Sequence, residues 1–244
     1  MTLQELPITG LPVGGVHERV IVCGDPARAD RIAERLDGAT LLSHKREYRA
    51  HNGTYRGVPI TICSHGIGAA GAAIAFEELI VAGARAIIRV GTCGGMQPDI
   101  HAGQLVVATA AVQNTGYGRE TVPDGYPAVA GAPLAMALQQ AAGPGARAGI
   151  VLSRDSFYPG VEVATAPNYQ VMSKANVLAV EMECAALFIV GSLRGAQTAA
   201  ILAVDGNVLE AVESVESYKP GRDIVHQAVD QAISSALEVL CNLT

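Results

Sequence analysis

The chain has 244 residues, half of them hydrophobic and 16% charged, and its 17 basic against 23 acidic residues leave a formal charge of −6. The basic residues are scattered, which argues against a nucleic-acid binder, and the longest uncharged apolar run near the middle, residues 66–76, falls far short of the roughly 20 residues that a bilayer requires. The opening residues carry no basic segment followed by an apolar one, so no secretory signal is expected and the protein is placed in the cytoplasm. Cys23, Cys63, Cys93, Cys184 and Cys241 are widely spaced in mostly apolar surroundings and read as reduced core thiols, with neither a disulfide frame nor a metal cage. Trp is absent, so the core has to be built from Ala, Val, Ile and Leu.

In chain order, the pattern predicts strand 20–23, helix 26–36, strand 58–64, helix 69–81, strands 86–90 and 104–112, helix 133–142, strands 147–152 and 177–180, helix 182–194, strand 198–204 and helix 223–240. Short β-branched runs that alternate with Ala-rich helical stretches imply crossover connections, hence an α/β fold whose mixed, mostly parallel central sheet is flanked by helices. No linker, repeat or compositional break divides residues 1–244, and one domain is expected. Residues 117–131, with Gly, Pro and Asp but little periodicity, are the candidate for a mobile loop or an inter-subunit contact.

Five short stretches could carry chemistry. In Cys23-Gly24-Asp25-Pro26-Ala27-Arg28 a buried strand ends in Gly, Asp caps a helix and Pro sits in its first turn. Backbone N–H groups and the Arg28 guanidinium could hold a phosphate there, although a plain strand-to-helix turn has the same look. Gly66-Ile67-Gly68-Ala69-Ala70-Gly71 follows a strand and opens a helix, as a dinucleotide fingerprint does. The next strand offers Arg89 and no carboxylate for ribose hydroxyls, so an NAD(P)-dependent oxidoreductase is the weaker reading and tight helix–sheet packing the plainer one. Arg89-Val90-Gly91-Thr92-Cys93-Gly94-Gly95 puts a guanidinium and a hydroxyl where ligands bind in open α/β sheets. Val180-Glu181-Met182-Glu183 sets two carboxylates at an apolar strand–helix junction, suited either to sugar hydroxyls or to the helix dipole. Val204-Asp205-Gly206 ends an apolar strand in a carboxylate, either a turn residue or a general acid.

Together, Gly24-Asp25-Pro26-Ala27-Arg28, Arg89-Val90-Gly91-Thr92-Cys93-Gly94, Ser153-Arg154-Asp155-Ser156-Phe157-Tyr158, Val180-Glu181-Met182-Glu183 and Val204-Asp205-Gly206 resemble the nucleoside phosphorylase-I family nearly end to end. That family holds purine nucleoside and uridine phosphorylases, with methylthioadenosine phosphorylases and nucleoside hydrolases among its relatives. The resemblance implies reversible attack of inorganic phosphate on a nucleoside, with no metal or organic cofactor. It implies a phosphate site of Gly24, Arg28, Arg89 and Thr92, with Arg46 reaching in from a neighbouring subunit. A dimer is then the minimum active unit, and a hexamer built as a trimer of dimers the expected assembly. Ribose contacts fall on Met182 and Glu183, base contacts on Phe157, Tyr158, Val180 and Asp205, and the catalytic acid is Asp205.

Three departures bear on the substrate. Where uridine phosphorylases follow Phe-Tyr-Pro-Gly with a Gln and an Arg that read uracil, this chain has Val161 and Val163 around Glu162. Where those enzymes have apolar residues at the late strand end, this one has Asp205 in a Val-Asp-Gly triplet, as one branch of the purine-active members does. A purine nucleoside phosphorylase is therefore expected, with uridine as the alternative. Leu6-Pro7-Ile8-Thr9-Gly10 also lacks the family's His for the 5′-hydroxyl, which keeps a 5′-methylthio-nucleoside substrate open. Arg222 is only a weak counterpart of the Arg that supports the acid. A hydrolase is disfavoured by the three arginines suited to phosphate, and a non-catalytic nucleoside binder by Arg28, Arg89 and Asp205.

Overall fold

A computed structural model describes residues 4–158, 160–161, 163–210, 214, 218 and 222–243. In chain order the elements are β1 (Arg19–Cys23), α1 (Pro26–Ala33), β2 (Asp37–Lys45), β3 (Tyr48–Tyr55), β4 (Val58–Ser64), α2 (Ala69–Ala82), β5 (Ala86–Gly95), β6 (Leu105–Asn114), α3 (Gly116–Thr121), β7 (Ala128–Val129), α4 (Ala132–Ala142), β8 (Arg147–Arg154), α5 (Tyr169–Lys174), β9 (Ala179–Glu181), α6 (Cys184–Arg194), β10 (Gln197–Asn207) and α7 (Asp223–Cys241).

The expected α/β fold with a mixed sheet is present. Its centre, β4–β1–β5–β10, is parallel, and β1 and β5 are almost continuously apolar because both their faces are covered. On one side β3 and β2 extend it antiparallel. On the other, β10 pairs antiparallel with β6, β6 and β8 run parallel to β8 and β9 respectively, and β9 returns antiparallel to β5 at Gly94 and Gly95. Strands β5, β10, β6, β8 and β9 therefore close on themselves as a ring.

Local sequence explains the helices around this frame. Asp25 accepts a hydrogen bond from the Ala27 amide and Pro26 opens α1, which satisfies its first orphan donors. Helix α6 is buried from Cys184 to Gly191 because α2 covers one flank and the sheet the other. Helix α7 buries Val225, Val229, Ala232, Ile233, Ala236 and Leu240 at helical spacing against β10 and β5.

Several boundaries differ from the sequence expectation. Strands β2 and β3 were not foreseen, since β2 is largely exposed and shows no alternation of apolar and polar residues. Strand β5 runs five residues past Val90, into glycines that read as a turn. Helix α6 starts at Cys184 and β9 ends at Glu181, because the Glu181 carboxylate turns back to accept the amides of Glu183 and Cys184. Part of 117–131 is ordered as α3 and β7, and the short α5 also went unforeseen. Among the described residues, no helix is long and apolar enough to cross a membrane and no group of three or more His, Cys, Asp or Glu could hold a metal.

Candidate active site

The centre of the site is a buried charge cluster around Arg89, midway along β5. Arg89, 4% exposed, hydrogen-bonds the Glu183 carboxylate and lies 3.4 Å from Glu181, which is equally buried. Glu183 also accepts the Gly68 amide at 2.7 Å, and Glu181 accepts the Ser153 hydroxyl. Burial pushes the Glu183 carboxyl up from its ordinary range, with Arg89 as the main opposing influence. Burial likewise works against the Arg89 charge, but Glu183 and Glu181 outweigh it and keep the guanidinium protonated. Gly91 makes room for this guanidinium, since a Cβ there would lie 2.8 Å from Arg89 Cζ.

His65 completes the cluster and was not singled out from sequence, although it directly precedes the Gly66–Gly71 motif. Its Nε2 lies 3.1 Å from an Arg89 Nη, and its Nδ1 2.9 Å from the Gly66 carbonyl. A guanidinium only donates, so Nε2 accepts and Nδ1 carries the hydrogen. Burial first, and then Arg89, hold the imidazole pKa well below its ordinary value, so the ring is neutral.

Arg28 stands beside Arg89 at the start of α1, half-buried, with one Nη 3.4 Å from the Val90 carbonyl. Burial, and Arg89 acting in the same direction, lower its pKa, yet a guanidinium stays charged. Among the described residues it makes no ion pair. Two neighbouring cations, one without a carboxylate partner, at a capped helix start beside Gly24, make a place where an anion is electrostatically favoured. Gly24 is packed closely, for a Cβ there would lie 3.1 Å from the Gly66 carbonyl. Thr92 follows on β5, partly buried. Burial raises the neighbouring Cys23 thiol to about 12 and holds Cys93 and Cys184 well above the ordinary range, so these thiols are protonated and inert.

Asp205 occupies a β-bulge. Val204 pairs with Cys93 and Gly206 with Gly94, so the residue between them is extra in the ladder and its side chain is re-aimed. The Tyr218 hydroxyl donates to Asp205 Oδ2 at 3.1 Å, and Tyr218 packs edge-on against Phe157 at 5.1 Å between ring centroids. Phe157 packs in the same manner on Tyr158, and both rings are substantially exposed. Arg222 does reach Asp205, but at its backbone carbonyl. Val180 lies across from Gly94 and beside Leu152, and Met182 follows it, partly buried.

Arg46 is not brought to this cluster within the chain. It sits exposed at the β2–β3 hairpin tip in a left-handed conformation (φ 58°), and among the described residues no hydrogen bond or ion pair holds its side chain. The Leu6–Gly10 stretch is clasped elsewhere: Glu78 accepts the Ile8 and Thr9 amides and the Thr9 hydroxyl. Gly66 fits the packing reading of its motif, since a Cβ there would meet Glu47 Cγ at 2.8 Å. Val161 and Val163 are exposed, while Pro159 and Glu162 lie outside the described residues.

Residues 18–243 match the phosphorylase superfamily. The uridine phosphorylase of Treponema pallidum (strain Nichols) is 38% identical over 241 residues, which cover 95% of this chain and 91% of that one. The purine nucleoside phosphorylase of Plasmodium vivax (strain Salvador I) is 36% identical over 228 residues, 92% of this chain and 91% of that one. The crystal structure of purine nucleoside phosphorylase from Toxoplasma gondii in complex with immucillin-H superposes with a TM-score of 0.92 at 34% identity, covering 100% of this chain and 98% of the other. The relatives thus share a reaction and divide over the base. With a match that spans nearly its whole length, the chain belongs to the phosphorylase superfamily and is a nucleoside phosphorylase, a pentosyltransferase that uses a nucleoside and phosphate.

Proposed function

We propose that this enzyme is a purine nucleoside phosphorylase, which converts a purine ribo- or deoxyribonucleoside and phosphate reversibly to free base and (deoxy)ribose 1-phosphate. Gly24, Arg28, Arg89 and Thr92 hold the phosphate, and Arg46 reaches it from a neighbouring subunit, which suits a side chain exposed at a hairpin tip. A phosphate oxygen bonds to the anomeric carbon as the glycosidic bond breaks, and the bonding pair leaves with the base. Glu183, with Met182, holds the sugar hydroxyls while positive charge develops on the ring. Phe157, Tyr158 and Val180 pack on the base. Asp205 gives a proton or a hydrogen bond to N7 of the departing purine. No metal or organic cofactor takes part. The active assembly is a homo-oligomer with a dimer as its smallest unit, a hexamer of three dimers in full, working in the cytoplasm.

The observation that carries the choice of purine is the bulged Asp205, joined through Tyr218 to Phe157, and the sequence supports it with Val161 and Val163 in place of uracil-reading side chains. The test is base release from inosine, guanosine, adenosine, methylthioadenosine and uridine, each with and without phosphate. Purine release that depends on phosphate is expected. Faster uracil release would overturn the choice of base, and release without phosphate would make the enzyme a hydrolase.

A further inference from the structure

Arg154, the last residue of β8, has no role in the scheme above. Strand alternation and register fix the face it occupies. Leu152 pairs with Val180 and Ser153 with Glu181. Ser153 and Glu181 turn together toward Arg89, as their hydrogen bond shows. Leu152 and Arg154 therefore share the opposite face with Val180, the wall assigned to the base. Side-chain contacts agree: Leu152 clusters with Met96 and Val177, with Val180, Val208 and Tyr169 packed around them, and Arg154 donates to the Tyr169 hydroxyl.

On this apolar wall the guanidinium is incompletely satisfied. Its Nε is buried without a hydrogen-bond partner, and among the described residues Arg154 makes no ion pair. Its hydrogen-bond partner there is the Tyr169 hydroxyl. A buried guanidinium donor left unmatched is costly, and a ligand that brings an acceptor removes that cost. Arginine has donors only. It can meet the carbonyl of a 6-oxopurine, whereas the 6-amino group of adenine presents its own N–H dipoles to the cation.

The geometry points to Arg154 as a base-reading residue that makes the enzyme select 6-oxopurine nucleosides, inosine and guanosine, over adenosine. This rests on the purine reading proposed above. A site that hydrogen-bonds a substrate group discriminates against the analogue lacking it, and one well-placed guanidinium–carbonyl contact corresponds to roughly 10- to 100-fold in kcat/KM.

The experiment compares kcat/KM for inosine and adenosine, at saturating phosphate, in the wild type and in Arg154→Met and Arg154→Lys. The wild type should favour inosine by roughly 10- to 100-fold. Arg154→Met should bring the ratio to within about threefold, mainly through loss on inosine. Arg154→Lys keeps the charge but lacks Nε, and should also lose most of the ratio, which covers the case of a Met variant that folds poorly. A merely structural defect would lower both substrates alike and leave the ratio in place, which would overturn the inference. So would a wild type that favours adenosine. A wild type that releases uracil but no purine base would instead overturn the purine reading, and the choice between purines with it.

Discussion

Replacing Arg89 by Leu should destabilise the protein in a pH-dependent manner, because it strands two carboxylates in the interior. Arg89, Glu181 and Glu183 are each no more than 5% exposed, and Arg89 contacts both acids. Removing one partner of such a buried cluster costs about 3–5 kcal/mol. For a chain of this size that corresponds to a fall in Tm of roughly 6–20 °C. The pH dependence follows from Glu183, whose carboxyl burial already pushes up against the opposition of Arg89. Without Arg89 that shift grows. A carboxyl with a folded pKa above its unfolded value, about 4.3, contributes its stability below that value and loses it as pH rises through the folded one. The deficit should therefore be small near pH 5 and full near pH 8. Thermal unfolding followed by circular dichroism, for wild type and variant at one protein concentration and without phosphate, reads both quantities. A deficit equal at the two pH values, or a Tm within about 3 °C of wild type at pH 8, would refute the reasoning.

Asp205→Ala should lower purine turnover about 100- to 10,000-fold while the KM for phosphate stays within a factor of about two, since it deletes leaving-group stabilisation alone; steady-state kinetics that show unaltered turnover would remove its acid role. Gly91→Ala should raise the phosphate KM and lower kcat together, because the new Cβ would sit 2.8 Å from Arg89 Cζ and displace the guanidinium; a variant with wild-type kinetics would mean that the cluster tolerates that displacement. Arg28→Ala should raise the phosphate KM at least about tenfold, and unaltered phosphate saturation would count against an anion site at the start of α1. Arg46→Ala should be inactive alone but regain activity when exchanged into mixed oligomers with Asp205→Ala, and mixed oligomers without recovery would exclude a site shared between subunits.

The layout of the fold was legible wherever burial wrote a simple pattern. Strands β1 and β4 and helix α2 sit within a residue of their expected places, because each is mostly apolar and has a Gly next to at least one of its ends. The β2–β3 hairpin was not, for a solvent-exposed strand has no need to alternate. The glycine-rich end of β5 failed for the opposite reason. Gly94 and Gly95 read as a turn, yet they are paired strand positions where a Cβ would come within 2.7 Å of Val208 and Ile100 side chains. At the site, Arg89 and Glu183 were each found as local signals, but their ion pair joins residues 94 apart and has no local signature. His65 and Tyr218 were missed on the same ground. Each becomes visible only once the strand ends are brought together.

The closed ring of strands also constrains how the chain is made. One whole edge of β5, from Ala86 to Gly95, is covered by β10, which is encoded far downstream. Until Gln197–Asn207 has left the ribosome, a nascent chain holds at the heart of its sheet a strand with one edge unpaired. Such distant pairing slows folding and exposes the intermediate to aggregation, so truncation before β10 should yield an insoluble fragment, and synthesis of this enzyme should be sensitive to chaperone supply.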